Sequence, residues 1–285
     1  MPTPHNILTT VLPQLRLAAA YAQQIQAGIV AQPDKDHLPE NFFATALTDA
    51  DLSIQTFVEV VLLGQFPKLR FYGEEFEKTY NTKYFSGIEL GPPGEYLVTL
   101  DPIDGTRFYL DGHPSYQIIL TVLGWETFEA VLAVSPAYDR YYYTLKGEGT
   151  FIGQLHDDLD ACEPLSINQP EPTILLGWDM EALRDKLSDR YSVVSVQEDY
   201  RSDRLIPTVN NILTGDLCGV VLARGKFIDG AALATLAQGM GYRISDHDGS
   251  ALPPLHACKN YQWPGLIMAA SDEVYQDLLT ALKAV

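Results

Sequence analysis

The stretch LVTLDPIDGTR, residues 97–107, ends an apolar run on two carboxylates. Asp101 and Asp104 are separated only by Pro102 and Ile103, and Gly105 and Thr106 follow at once. Other acids stand where further elements start or stop. Asp51 opens a helical pattern, Glu74 follows a short strand, and Asp229 precedes the helical stretch GAALATL. Such positions are expected at an exposed rim, since sites in layered α/β folds gather at strand ends. Hard divalent cations such as Mg²⁺ take oxygen ligands and keep several waters. Carboxylates clustered without a cation repel one another. Pro102 fixes the backbone after Asp101, the Ile103 carbonyl is a further oxygen donor, and Gly105 lets backbone N–H groups come close to a ligand. A helical turn starting at Thr106 would turn free N–H groups towards an anion. A cation on one side and N–H groups on the other describe a phosphate pocket.

These residues resemble the signatures of the inositol monophosphatase superfamily, which includes inositol monophosphatases, 3′(2′),5′-bisphosphate nucleotidases and fructose-1,6-bisphosphatases. The similarity lies in GEE (73–75), DPIDGT (101–106) and IDGAA (228–232), with TDAD before the second helix and the segment PAYDRYYYTLKGEGTFIG. It covers roughly residues 5–250, in the family's order. The resemblance implies that Glu74, Asp101 and the Ile103 carbonyl hold one Mg²⁺, and that Asp101, Asp104 and Asp229 hold a second, with two or three ions in all. It implies that Asp51 pairs with Thr106 beside the attacking water, Asp49 being the alternative acid, so that Asp51, Glu74 and Thr106 are the catalytic set. The N–H groups of Gly105 and Thr106 would hold the phosphate. The implied reaction is direct hydrolysis of a small phosphorylated metabolite, without a covalent enzyme intermediate. A five-layered α-β-α-β-α sandwich, a homodimer and lithium sensitivity are carried by the same resemblance.

Several positions depart from the family pattern. Ile228 stands where a Trp is common, and Gly241-Tyr242 replaces a Gly-Gly pair. RSDRL (201–205) replaces a small-residue segment, and Leu222 stands where inositol-specific members carry an acid seven residues before the distal Asp. Arg201, Ser202, Arg204 and Lys226 are therefore candidate contacts to a second anionic group. Gln55 is similar to the nucleotidase branch and leans towards a bisphosphorylated substrate. The alternatives are accordingly a bisphosphate nucleotidase, a sugar (bis)phosphatase, or a non-catalytic family member that binds metal or phosphate.

The elements that must position these residues follow from periodicity. Residues 6–30 place Leu8, Val11, Leu12, Leu15, Ala19 and Ala22 at helical spacing. Residues 31–43, broken by prolines, are expected to form a loop. A second helix over 48–66 starts at Thr48 or Asp49 and buries Ile54, Phe57, Val58, Val61 and Leu62. The strand LRFY leads to GEE. From 95 to 153 the strands EYLVTL, QIILTVL, EAVLAVS and RYYYTL follow, and GEGTFIG closes them with turns. Tyr141, Tyr142 and Tyr143 are expected to alternate between core and surface. A boundary in 154–170 divides the chain into 1–165 and 166–285. The second part alternates strand and helix, with helices expected in MEALRDKLSD and LIPTVNNILTG. This gives a mixed α/β class.

Composition narrows the partners. The chain has 285 residues and a net charge of −18, so nucleic acid, whose phosphates are held by Lys and Arg, is not an expected partner, nor is an anionic membrane. No signal peptide or membrane span is expected, and the location expected is cytoplasmic. The cysteines, Cys162, Cys218 and Cys258, are odd in number and far apart, which points to reduced thiols.

Overall fold

A computed structural model of the chain describes residues 2–30 and 46–285; the expected loop at 31–43 lies outside the described residues. Two units are present, Met1–Pro164 and Leu165–Val285. The first carries helices α1 (Pro4–Ile25), α2 (Asp49–Gln65) and the short α3 (Thr106–Leu110). Its strands are β1 (Arg70–Gly73), β2 (Leu97–Asp104), β3 (Gln117–Leu123), β4 (Phe128–Ser135), β5 (Arg140–Leu145), β6 (Thr150–Gln154) and β7 (Glu163–Pro164). They form one seven-stranded sheet in chain order. β1 runs parallel to β2, and every later neighbour is antiparallel.

Helix α2 starts at a capping box. The Thr48 side chain accepts from the Asp51 N–H, and the Asp51 carboxylate accepts from the Thr48 N–H, so two otherwise orphaned donors are satisfied. Ile54, Val58 and Leu62 recur at four-residue spacing and pack with Leu8, Val11 and Leu15 of α1 on Val98, Leu100, Ile118 and Leu120 of the sheet. Each such side chain contributes about 1.5–3 kcal/mol by burial. Phe57, expected in that face, is 37% exposed. The buried ridge follows the i, i+4 row of Ile54, and Phe57 falls beyond one edge of it.

Two further expectations change. GEGTFIG is not all turn, because Thr150–Gln154 pairs with β5 as β6. Tyr141, Tyr142 and Tyr143 are all buried and do not alternate with the surface. The hydroxyls of Tyr141 and Tyr143 are satisfied by the carbonyls of Asp157 (2.9 Å) and Leu159 (3.1 Å), which lets both rings leave water without an unmet donor.

The second unit is built on β8 (Thr173–Leu176), β9 (Ser192–Ser195), β10 (Gly219–Leu222), β12 (Arg243–Ser245) and β14 (Leu266–Ala269), in the order β12-β14-β10-β8-β9. β11 (Gly225–Lys226) and β13 (Gln262–Trp263) make a separate ribbon. Its helices are α4 (Arg184–Leu187), α5 (Val196–Asp199), α6 (Gly230–Gly239) and α7 (Asp272–Lys283). The expected helix in LIPTVNNILTG is only a short 3₁₀ segment, Val209–Leu213. Thr208 and Asn211 cap it at one end, and Gly215 at φ +86° turns the chain at the other. MEALRDKLSD likewise shrinks to a 3₁₀ turn followed by α4. The mixed α/β class read from the sequence holds in both units.

Candidate active site

The parallel pairing of β1 with β2 brings the C-terminal ends of both strands together. Gly73 is the register partner of Leu100, and the Glu74 N–H donates to the Leu100 carbonyl at 3.0 Å. Glu74 therefore leaves β1 beside the residue at which β2 reaches Asp101.

In a regular strand, residues three apart point to opposite faces. Asp101 and Asp104 do not. Asp101 pairs with Ile119 but Asp104 pairs with Gln117, so β2 carries one extra residue between them. Such a bulge resets the alternation. Ile103 accordingly joins Val98 and Leu100 in the helix-side core, which leaves Asp101 and Asp104 both on the other face. Pro102, with no N–H to give the ladder, suits that position. The Ile103 N–H donates to Asp101 Oδ1 at 3.1 Å and closes the turn.

Gly105 follows at φ +87°, where a β-carbon would lie 2.8 Å from the Ser115 carbonyl. Only glycine suits both conditions. Thr106 then begins α3. Its hydroxyl lies 2.8 Å from the Ile103 carbonyl and 3.3 Å from Asp51 Oδ1. The other Asp51 oxygen accepts from the Thr48 N–H at 2.8 Å and the Thr48 hydroxyl at 2.5 Å. Asp51 is wholly buried, whereas Asp49 is exposed. Of the two acids, Asp51 is the one joined to Thr106. Burial pushes the Tyr109 hydroxyl up, and neighbouring Tyr116 and Asp51 add to the rise.

α3 has five residues and is held from α1 and the 3₁₀ turn after it: the Tyr109 hydroxyl donates to the Ala22 carbonyl, and the Gln26 amide donates to the Tyr109 carbonyl and to that of His113, just past the helix. The acids do not all sit at an exposed rim. Asp51 and Asp101 are buried, while Glu74, Asp104 and Asp229 are half-buried.

Sequence reasoning missed Glu59. Asp51, Gln55 and Glu59 recur every four residues along α2, and all three are fully buried. Gln55 Oε1 accepts from the Glu75 N–H at 2.8 Å, and its amide donates to Glu59 Oε1 at 3.1 Å. The hydroxyls of Thr79 and Thr82 donate to the same Glu59 oxygen at 2.8 and 3.0 Å. The available signal was a polar row at helical spacing flanking an apolar one.

In the second unit, Asp229 caps α6 and its carboxylate accepts from the Gly230 N–H. Lys226 Nζ lies 3.7 Å from Asp229 Oδ2. Arg201 turns its guanidinium onto the carbonyls of Glu198 and Tyr200, at 2.9 and 2.5 Å. Ser202, Asp203 and Arg204 are exposed in the tight turn that Arg204 closes by donating to the Arg201 carbonyl. Leu222 crowds Gly177 and Gly230, and its carbonyl is 2.8 Å from His247 Nε2.

The family model for inositol monophosphatases matches residues 16–284. The chain belongs to the inositol monophosphatase family. A relative named "Putative Nus factor SuhB" from Neisseria meningitidis is 23% identical over 282 residues, spanning 94% of this chain and 95% of that protein. A histidinol-phosphatase from Mycobacterium tuberculosis is 25% identical over 253 residues, spanning 84% of this chain and 85% of that one. The crystal structure of an IMPase/NADP phosphatase complexed with NADP and Ca²⁺ covers 100% of this chain and 97% of its own at 20% identity and TM-score 0.70. That likeness shows the inositol monophosphatase fold.

The candidate donors in the first unit, the carboxylates of Glu74, Asp101 and Asp104 and the Ile103 carbonyl, are all oxygen. This suits a hard divalent cation. Among the described residues, no group of three or more His, Cys, Asp or Glu side chains is gathered closely enough to hold an ion alone. Mg²⁺ does not require such a cage, since it is usually bound by one or two carboxylates together with water and substrate phosphate. The Ile103 carbonyl accepts from Thr106 and, with two lone pairs, can still serve as a ligand.

Proposed function

We propose that this chain is an Mg²⁺-dependent phosphatase that hydrolyses a small phosphomonoester by direct attack of water. The observation that carries the reading is the bulge in β2, which turns Asp101 and Asp104 to one face beside Glu74. Glu74, Asp101, Asp104 and the Ile103 carbonyl would hold Mg²⁺, and Asp229 is proposed for a further ion on the family resemblance. When bound, the metal supplies Lewis-acid activation of water and neutralises phosphate charge. The residues do the rest by position. Asp51 and Thr106 orient the attacking water, with Asp51 itself fixed by Thr48. The N–H groups of Gly105 and Thr106 hold phosphate oxygens. Preorganisation of this kind supplies most of the rate in phosphoryl transfer.

Two of the residues that leaned towards a second phosphate have other partners in the structure. Gln55 is engaged by Glu75 and Glu59, so its amide is accounted for without a second phosphate. Arg201 is likewise engaged by backbone carbonyls. Arg204, Ser202 and Lys226 remain proposed contacts. Relatives named for histidinol phosphate and NADP add those two compounds to inositol phosphate as candidates. A homodimer and lithium inhibition are proposed on the resemblance. No helix among the described residues is long and apolar enough to cross a membrane.

The test is a pair of variants. Asp101→Asn, at the proposed metal site, is expected to lower Mg²⁺-dependent turnover more than Asp51→Asn. An Asp101→Asn enzyme with near-normal turnover contradicts the assignment. A second reading is a non-catalytic binding role, which the likeness to a SuhB named as a Nus factor favours. Binding of Mg²⁺ without phosphate release from any tested ester would favour it.

A further inference from the structure

The buried row on α2 continues past Asp51 into Gln55 and Glu59, and it faces the turn that carries Glu74. Hydrogen bonds tie residues 73–82 to this row. The Glu75 N–H donates to Gln55 Oε1, the hydroxyls of Thr79 and Thr82 donate to Glu59 Oε1, and the Gln55 amide reaches the Thr79 hydroxyl at 3.5 Å. A further restraint is steric, because a β-carbon at Gly73 would collide with the Gln55 carboxamide. The Gln55 amide joins the two halves by donating to Glu59 Oε1.

Glu59 is an expensive residue for a helix to bury. Its side chain has no exposure, three neutral donors converge on Oε1, and Oε2 has no hydrogen-bond partner among the described residues. Taking a carboxylate out of water without a cation costs free energy, and an apolar side chain of similar volume is often as good or better for stability alone. What offsets that cost is the set of three donors that Oε1 satisfies, which would be left unmet if the acid alone were replaced. The same set has a geometric consequence. A single oxygen that accepts from Gln55, Thr79 and Thr82 fixes the turn to the same helix that holds Asp51.

We propose that Glu59, acting through Gln55, Thr79 and Thr82, is a positioning residue that sets the Glu74 turn for metal binding. This rests on the reading of Glu74 as a metal ligand. It also explains Gln55: a glutamate there would place two carboxyl groups in contact, and like charges in contact repel. Outer partners of metal ligands typically carry 10–100-fold of metal affinity when removed.

The experiment measures Mg²⁺ binding by calorimetry on the full chain, alongside a thermal melt. Glu59→Leu and Gln55→Glu are each expected to weaken Mg²⁺ binding by about 10–100-fold. The double swap Gln55→Glu with Glu59→Gln keeps one acid and one amide in contact and is expected to restore most of the affinity. A purely structural role would lower the melting temperature and leave the affinity of the folded protein unchanged. If the wild type binds Mg²⁺ and both single variants bind it equally tightly, this inference is overturned alone. If the wild type binds no Mg²⁺, the metal-site reading falls and takes this inference with it. Should Glu59→Leu fail to fold, Gln55→Glu and the double swap still decide the matter.

Discussion

Thr106→Val tests the link between Asp51 and the phosphate turn. Valine keeps the shape of a side chain that is only 8% exposed, so no cavity forms and only the hydroxyl is lost. That hydroxyl has one proton and two acceptors within reach, the Ile103 carbonyl at 2.8 Å and Asp51 Oδ1 at 3.3 Å. Losing it should cost about 1–2 kcal/mol of stability, the range for one buried hydrogen bond shared with a charged acceptor. A stability loss of that size leaves the enzyme folded at assay temperature. Turnover should nonetheless fall about 10²–10⁴-fold if Thr106 and Asp51 orient the attacking water, as proton-handling groups do. Thr106→Ser restores the hydroxyl and should recover most of the rate. Thr48→Ala is the graded comparison. It removes a helix cap, costing about 1 kcal/mol, and one of the two Thr48 donors that fix Asp51, but keeps the Thr48 N–H bond and Thr106, so its loss of turnover should be smaller than that of Thr106→Val. The assays are urea unfolding and initial rates of phosphate release at saturating Mg²⁺. A Thr106→Val enzyme within about threefold of wild type, roughly 0.7 kcal/mol of barrier, would refute the reasoning.

Other outcomes follow from the same geometry. Gly105→Ala should destabilise the protein by about 2–4 kcal/mol, from left-handed strain and overpacking against the Ser115 carbonyl, and urea unfolding would read it. Burial pushes the Cys218 thiol up to about 11, so iodoacetamide at neutral pH should label it only in unfolded protein; rapid native labelling would contradict that environment. Burial tends to raise Asp199, but its hydrogen bonds from Arg184 and the Ser195 N–H and the Arg184 charge outweigh it and hold the carboxyl low. A depressed carboxyl contributes stability above its unfolded value of about 4 and loses it as pH falls through the lower folded value. Arg184→Met should therefore destabilise by about 1–2 kcal/mol at neutral pH, discounted for partial exposure, with the gap to wild type closing in acid. A gap that persists unchanged in acid would show that packing, not the ion pair, was lost.

The turns of the candidate site were legible because each is written in consecutive residues: DPIDGT announces a turn after a strand, and GEE announces another. What could not be read was parity. Asp101 and Asp104 share a face only through the bulge, and no periodicity rule yields an inserted residue, though Pro102 inside a strand was a hint. Glu59 was hidden for a different reason. A single charge in a helix is ordinarily a solvated one, and only its four-residue spacing from Asp51 and Gln55 set it apart. The errors over Phe57 and the tyrosine run share a cause. Helix faces and strand faces were assigned by local alternation, whereas burial here is decided by what covers each face of β3–β5 and by the i, i+4 ridge of α2. The helix expected in LIPTVNNILTG failed because Pro207, the Thr208–Asn211 cap and Gly215 leave too little chain between them for more than a short 3₁₀ segment.

The central claim is tested most directly by phosphate release with and without Mg²⁺, using myo-inositol 1-phosphate, histidinol phosphate, NADP and fructose 1,6-bisphosphate in parallel. The account predicts release from at least one ester that requires Mg²⁺, is abolished by chelation and returns on adding the metal back. No release from any of the four by a protein that binds Mg²⁺ tightly would contradict it and favour a non-catalytic role.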